Sequence, residues 1–138
     1  IKFTSKTNQN GKKKYVNMKL LDGKYLIDGS SYNGDAKIDF LIGTWWNHSI
    51  IKAPAQISAV SGRIIEQKVE FVGKETLSFN NKNFKSLHFK FSSSDPKLKK
   101  NKRLNTDIWY EEESLVWIYA RFEKTGVWEY RLSTLEEF

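Results

Sequence analysis

DIWYEEESLVWIYARFEKTGVWEYRL, residues 107–132, decides the fold class. It holds three runs rich in aromatic and β-branched residues, 107–110, 115–122 and 127–132, separated by an acidic break and by a Glu-Lys-Thr-Gly break. Such side chains suit the pleated, half-buried surface of a sheet, and Gly126 suits a tight hairpin because glycine takes a positive φ without steric cost. The stretch predicts a β-meander. Within it, Trp117, Tyr119 and Arg121 alternate with Val116, Ile118, Ala120 and Phe122, so strict alternation makes this strand apolar on both sides near its middle. One face meets the core, and the other needs a helix, a second sheet or a ligand.

Upstream the same rhythm repeats. A turn at residues 8–11 ends in Asn10-Gly11, a strong hairpin signal, and residues 12–21 alternate Tyr15, Asn17 and Lys19 against Val16, Met18 and Leu20. Asp22-Gly23 and Asn33-Gly34-Asp35 supply further turns, the second leading into a strand over 36–42. Gly43 breaks that strand, and Thr44 stands where an N-cap would, ahead of a short helix over 45–51 that Pro54 limits to about two turns. A short strand is expected over 56–60 and, after Ser61-Gly62, a longer one over 63–72, where Gly73 ends the run. Residues 76–79 and 83–91 form a hairpin about Asn80-Asn81. These signals predict one β-rich domain over residues 1–138: a twisted antiparallel sheet of about ten strands, curled into an open or half barrel and plugged by the short helix.

Composition bounds the chemistry. The 138 residues carry five Trp, nine Phe and six Tyr, enough aromatic surface for a real core. Twenty-three Lys plus Arg against 16 Asp plus Glu give a formal charge of +7, but the lysines are spread widely, as on a solvated surface. The basic run Lys97, Lys99, Lys100, Lys102 and Arg103 lies in the one long loop, and no aromatic interleaves it between Phe91 and Ile108. Stacking of single-stranded bases needs that interleaving, so no nucleic-acid partner is expected. The chain has no cysteine, which excludes disulfides, thiolate metal sites and thiol catalysis.

The candidate ligand-binding residues are Trp45, Trp46, Asn47 and His48 together with Trp109, Trp117, Tyr119, Arg121 and Tyr130. Adjacent tryptophans cannot both face one way, so one of Trp45 and Trp46 plugs the core. The other either caps one end of the sheet or lines the mouth of an apolar cavity. The meander aromatics pack first, and offer a hydrophobic surface second. Glu129 and Arg131 share a face as a cross-strand or solvated pair, or as holders of a headgroup. His48 with Asp107 or Glu129 would make a general base, although an isolated histidine is ordinarily a surface or hydrogen-bonded side chain. Neither His48 nor His88 stands at metal-ligand spacing, so no metal, cofactor or catalytic residue is expected.

The order of motifs resembles an uncharacterised bacterial family of exported all-β domains. The residues that carry the resemblance are the turn Thr7 to Gly11, Trp45-Trp46-Asn47, Ser61-Gly62, Asp107 to Tyr110, and Gly126 to Leu132. The family looks like a distant relative of lipoprotein-carrier half-barrels, which implies a periplasmic or otherwise exported binder of a lipid or other hydrophobic molecule, with peripheral membrane contact. Such domains carry more strands upstream of the Asn-Gly turn. The resemblance therefore implies that the chain is the C-terminal part of a larger domain, whose missing strands or a protein partner would pair at the edge near Ile1. The alternative from another class is a structural module that pairs through that edge.

Overall fold

The computed structural model describes residues 2–123 and 126–132. Eleven strands and two short 3-10 turns, at His48–Lys52 and Lys100–Lys102, make up its regular structure, and no α-helix occurs among the described residues. The all-β class holds, with a curled half-barrel sheet. The chain divides into two compact units, one of Ile1–Thr44 with Ala53–Glu66, the other of Trp45–Lys52 with Gln67–Phe138.

In the first unit β1 (Lys2–Gln9), β2 (Lys12–Leu21), β3 (Lys24–Gly29) and β4 (Asn33–Lys37) form an antiparallel sheet in chain order. Asn10-Gly11 and Asp22-Gly23 join the first three as two-residue hairpins with φ positive at both positions, 51° and 76°, then 51° and 74°. That backbone twist matches the twist of the flanking strands. The alternation in β2 points Val16 and Met18 inward, onto Ile27, Ala36 and Ile57. Short β5 (Leu41–Ile42) and β6 (Ala55–Ile57) pair in parallel, and β6 pairs antiparallel with the start of β7 (Ile64–Phe79).

One expected turn lies elsewhere. Asn33-Gly34 is part of β4, opposite Asp28 and Ile27, and the chain reverses at Ser30 and Ser31 instead. The reason is tertiary: Ser30 N donates to Tyr15 O at 2.9 Å and Ser31 N to Ser61 O at 3.0 Å, contacts that no local signal encodes. The strand also ends at Lys37, leaving Ile38 exposed, rather than running on to 42.

The second unit is a five-stranded antiparallel meander: the rest of β7, β8 (Lys82–Ser93), β9 (Asn105–Glu111), β10 (Trp117–Glu123) and β11 (Val127–Arg131). Gly73 does not end β7. It makes a bulge, with φ of 159° and a register shift after Phe71, and the strand continues to Phe79. The acidic turn is organised by Glu111, whose carboxylate accepts bonds from Ser114 Oγ (2.5 Å), Ser114 N (2.6 Å) and Glu113 N (3.1 Å) and is thereby held below its ordinary titration range. Leu115, at φ 57°, closes that turn, so β10 begins at Trp117 rather than at 115. In the second meander turn, Lys124 and Thr125 lie outside the described residues.

The short helix expected over 45–51 is a 3-10 turn that starts three residues later. Asn47, not Thr44, caps it: its Oδ1 accepts from Ser49 N at 3.1 Å and its carbonyl from Ile50 N at 3.1 Å. Buried Ile50 anchors the turn, and Gln67 Nε2 donates to Ile50 O at 2.9 Å.

Candidate functional site

A bulge in β10 arranges the aromatic side chains of the meander. Trp117 pairs with Tyr110 but Tyr119 pairs with Trp109, so Trp117 and Tyr119 point to opposite faces. The expectation that Trp117, Tyr119 and Arg121 share a face is therefore corrected: the inserted residue breaks the period of two that the expectation assumed. Each face then carries its own chemistry.

On the first face, Trp117 stacks on Trp45 at 6.1 Å between ring centroids and meets Trp46 edge-on at 4.7 Å. Trp45 also touches Tyr130 at 5.4 Å and Phe122 at 6.0 Å, and Phe122 stacks against Trp128 and Tyr130. The carbonyl of Trp45 is held by Tyr110 Oη, which donates at 2.9 Å; burial pushes that phenol well above its ordinary range, so it remains a donor. The result is a continuous aromatic surface on a buried floor. Trp117 is buried, yet its Nε1 has no hydrogen-bond partner among the described residues. Trp46, Trp128 and Tyr130 stand 66%, 54% and 48% exposed.

The second face centres on His88, which the sequence offered only as a surface or hydrogen-bonded side chain and which the structure shows hydrogen-bonded. Its Nδ1 lies 2.8 Å from Glu75 Oε1 and its Nε2 2.7 Å from Asp107 Oδ1, and its ring stacks on Trp109 at 4.1 Å. Trp109 Nε1 donates to Glu75 Oε2 at 2.9 Å, while Lys90 donates to Asp107 Oδ2 at 3.1 Å and to Asn105. Tyr119 packs on Trp109 at 4.9 Å, with Arg131 over its ring. Burial and the Glu129 carboxylate raise the Tyr119 phenol above its usual range. Leu77, Ser78, Phe79, Tyr119 and Arg131 line a hollow of about 200 Å³. Among the described residues no cluster of His, Asp or Glu is arranged to hold a metal ion.

The indole N–H of Trp109 holds the Glu75 carboxyl below its ordinary value of 4.5, with His88 adding to the effect. A carboxylate that titrates lower when folded contributes stability above its unfolded value, and that contribution is lost as pH falls through the folded value. Unfolding midpoints measured between roughly pH 3 and 6 are expected to fall less steeply on the acid side for Glu75→Gln than for the parent chain. Parallel acid limbs in the two proteins would refute the assignment.

The nine candidate residues thus divide. Trp45, Trp46, Trp117 and Tyr130 come together on one face, and Trp109, Tyr119 and Arg121 lie on the other. Asn47 caps the 3-10 turn and His48 is exposed on it. Asp107, considered as an orienter of His48, binds His88 and Lys90 instead, and Glu129 lies 3.5 Å from Arg131. Phe122 and Trp128 complete the first face and Glu75 and His88 the second; Phe122, Trp128 and His88 stood in expected strands, Glu75 fell in the break expected after Gly73, and only the pairing register shows which groups meet. The family described as Domain of unknown function (DUF6134) matches residues 1–133. No curated protein and no solved structure matches the chain.

Proposed function

The chain belongs to this family of unknown function, and from that premise we propose that it is a non-catalytic module that binds a hydrophobic ligand, a lipid chain above all, on its first aromatic face. The observation that carries the reading is the run of half-exposed rings, Trp46, Trp128 and Tyr130, joined through Trp45 and Phe122 to buried Trp117. Contiguous aromatic surface left in water is costly, and a hydrocarbon chain laid across it would remove that cost. The flat ring faces select for shape only loosely, which suits an acyl or isoprenoid chain.

Native mass spectrometry of gently extracted protein, followed by calorimetric titration with a fatty acid and an isoprenoid alcohol, tests the reading. The parent chain is expected to bind, and Trp46→Ala or Trp128→Ala to weaken binding about tenfold or more, as truncation of an anchoring aromatic does. Both rings are exposed, so stability should change little. A chain that carries no lipid and titrates with neither compound would overturn the proposal.

A further inference from the structure

The outward face of the first unit's sheet is lined with lysine. Strand alternation and the β1–β2 register put Lys2, Lys6, Lys13 and Lys19 on the side away from Val16 and Met18, with Lys24 and Lys37 continuing the row on β3 and β4. Of these, Lys24 is paired with Asp35, at 2.5 Å. Lys2, Lys6, Lys13, Lys19 and Lys37 are exposed and make no ion pair among the described residues. Lys2 and Lys19 sit directly opposite each other in the ladder, an arrangement that opposes folding because like charges repel across a strand pair.

A cleft of about 400 Å³ opens at the end of this hairpin, lined by Lys6, Thr7, Asn8, Lys13, Lys14 and Tyr15. Lys6, Asn8, Lys13 and Tyr15 share the outward face there, whereas Thr7 and Lys14, which pair with each other, alternate to the opposite one, and the exposed lining is mostly hydrocarbon, lysine stems and the Tyr15 ring. The face holds no guanidinium, since the first arginine of the chain is Arg63. Ammonium groups are compact point charges without the planar fork that reads individual phosphates bidentately, so a row of them fits a diffuse sheet of negative charge. Tyr15, partly exposed in the same row, has the amphipathic ring that favours a membrane–water interface, whereas single-stranded nucleic acid would need several such rings.

We propose that this lysine face seats the domain on an anionic phospholipid surface. Co-sedimentation of the full chain with phosphatidylcholine vesicles carrying roughly one-third phosphatidylserine is the test, since a juxtaposed lysine contributes about a fivefold gain in affinity for such a surface. Binding to these vesicles but not to pure phosphatidylcholine is expected, weakening as salt rises. The triple variant Lys6→Gln, Lys13→Gln, Lys19→Gln should lose roughly a hundredfold in affinity. The triple Lys97→Gln, Lys99→Gln, Lys100→Gln, which removes the same net charge from the basic loop, should stay within a few-fold of the parent. Circular dichroism confirms that both variants fold.

Equal loss in the two triples, equal binding to neutral vesicles, or tighter binding to polyuridylate than to the charged vesicles would each overturn the proposal. Trp46→Ala is expected to keep full vesicle binding. Failure of the lysine face therefore leaves the hydrophobic-ligand reading standing, and the converse holds.

Discussion

Gly29→Ala is expected to destabilise the chain by about 3 kcal/mol, more than almost any other single-methyl addition. A Cβ built at Gly29 would lie 2.4 Å from the carbonyl oxygen of Ser61 and 3.1 Å from its carbon, a contact with backbone that no rotamer change relieves. Either the sheet edge or the 61–62 turn must move. Movement of the turn breaks the bond from Ser31 N to Ser61 O and draws Gly62 away from Ile27 and Val16, against which it packs. The unfolding midpoint should fall by roughly 10 °C. Gly11→Ala is the control: its φ of 76° strains an alanine, but nothing lies within 4 Å of the new Cβ, so the cost stays near 1 kcal/mol. Thermal unfolding followed by circular dichroism measures both, and equal midpoints for the two variants would refute the steric account.

Trp117→Ala is expected to cost 3 to 5 kcal/mol, in the range of about 3–5 kcal/mol for emptying a buried aromatic site. The side chain is the floor on which Trp45 and Trp46 rest, so its removal leaves a cavity and frees two rings at once. Trp117→Phe should cost about 1 kcal/mol, because the indole N–H it removes is buried without a partner among the described residues and contributes only its desolvation penalty. Urea unfolding of the two variants decides the matter. If phenylalanine proves as damaging as alanine, Trp117 acts through its N–H and not through its rings.

The parts of the fold legible in the sequence were those encoded within a few residues. Asn10-Gly11, Asp22-Gly23 and Asn80-Asn81 all form the turns expected of them, because a positive φ at both central positions is a demand that the turn residues themselves meet. The period-two pattern of β2 likewise names its buried face. Asn33-Gly34 misled because the same residues tolerate an extended strand when a distant backbone, at Ser61, supplies the turn elsewhere. Gly73 misled because a glycine that breaks a pattern serves equally well as a bulge.

The candidate site was half legible for the same reason. That the meander is rich in aromatic side chains follows from its composition, but which ring meets which depends on one bulge in β10, and Ile118 at that bulge has nothing unusual in its type. His88 shows the limit most plainly. Its partners stand 13 and 19 residues away on neighbouring strands, and only the register of β7, β8 and β9 brings both carboxylates to one ring.

All five tryptophans, Trp45, Trp46, Trp109, Trp117 and Trp128, belong to the second unit; the first holds none. Intrinsic indole emission is therefore an optical label for one half of the chain. Far-ultraviolet dichroism, by contrast, reads the strands of both. If the halves melt as one cooperative block, the two signals trace a single curve, and if they melt separately the emission lags or leads. Gly29→Ala, placed in the half without indoles, turns that difference into a direct reading of how strongly one half senses the loss of the other.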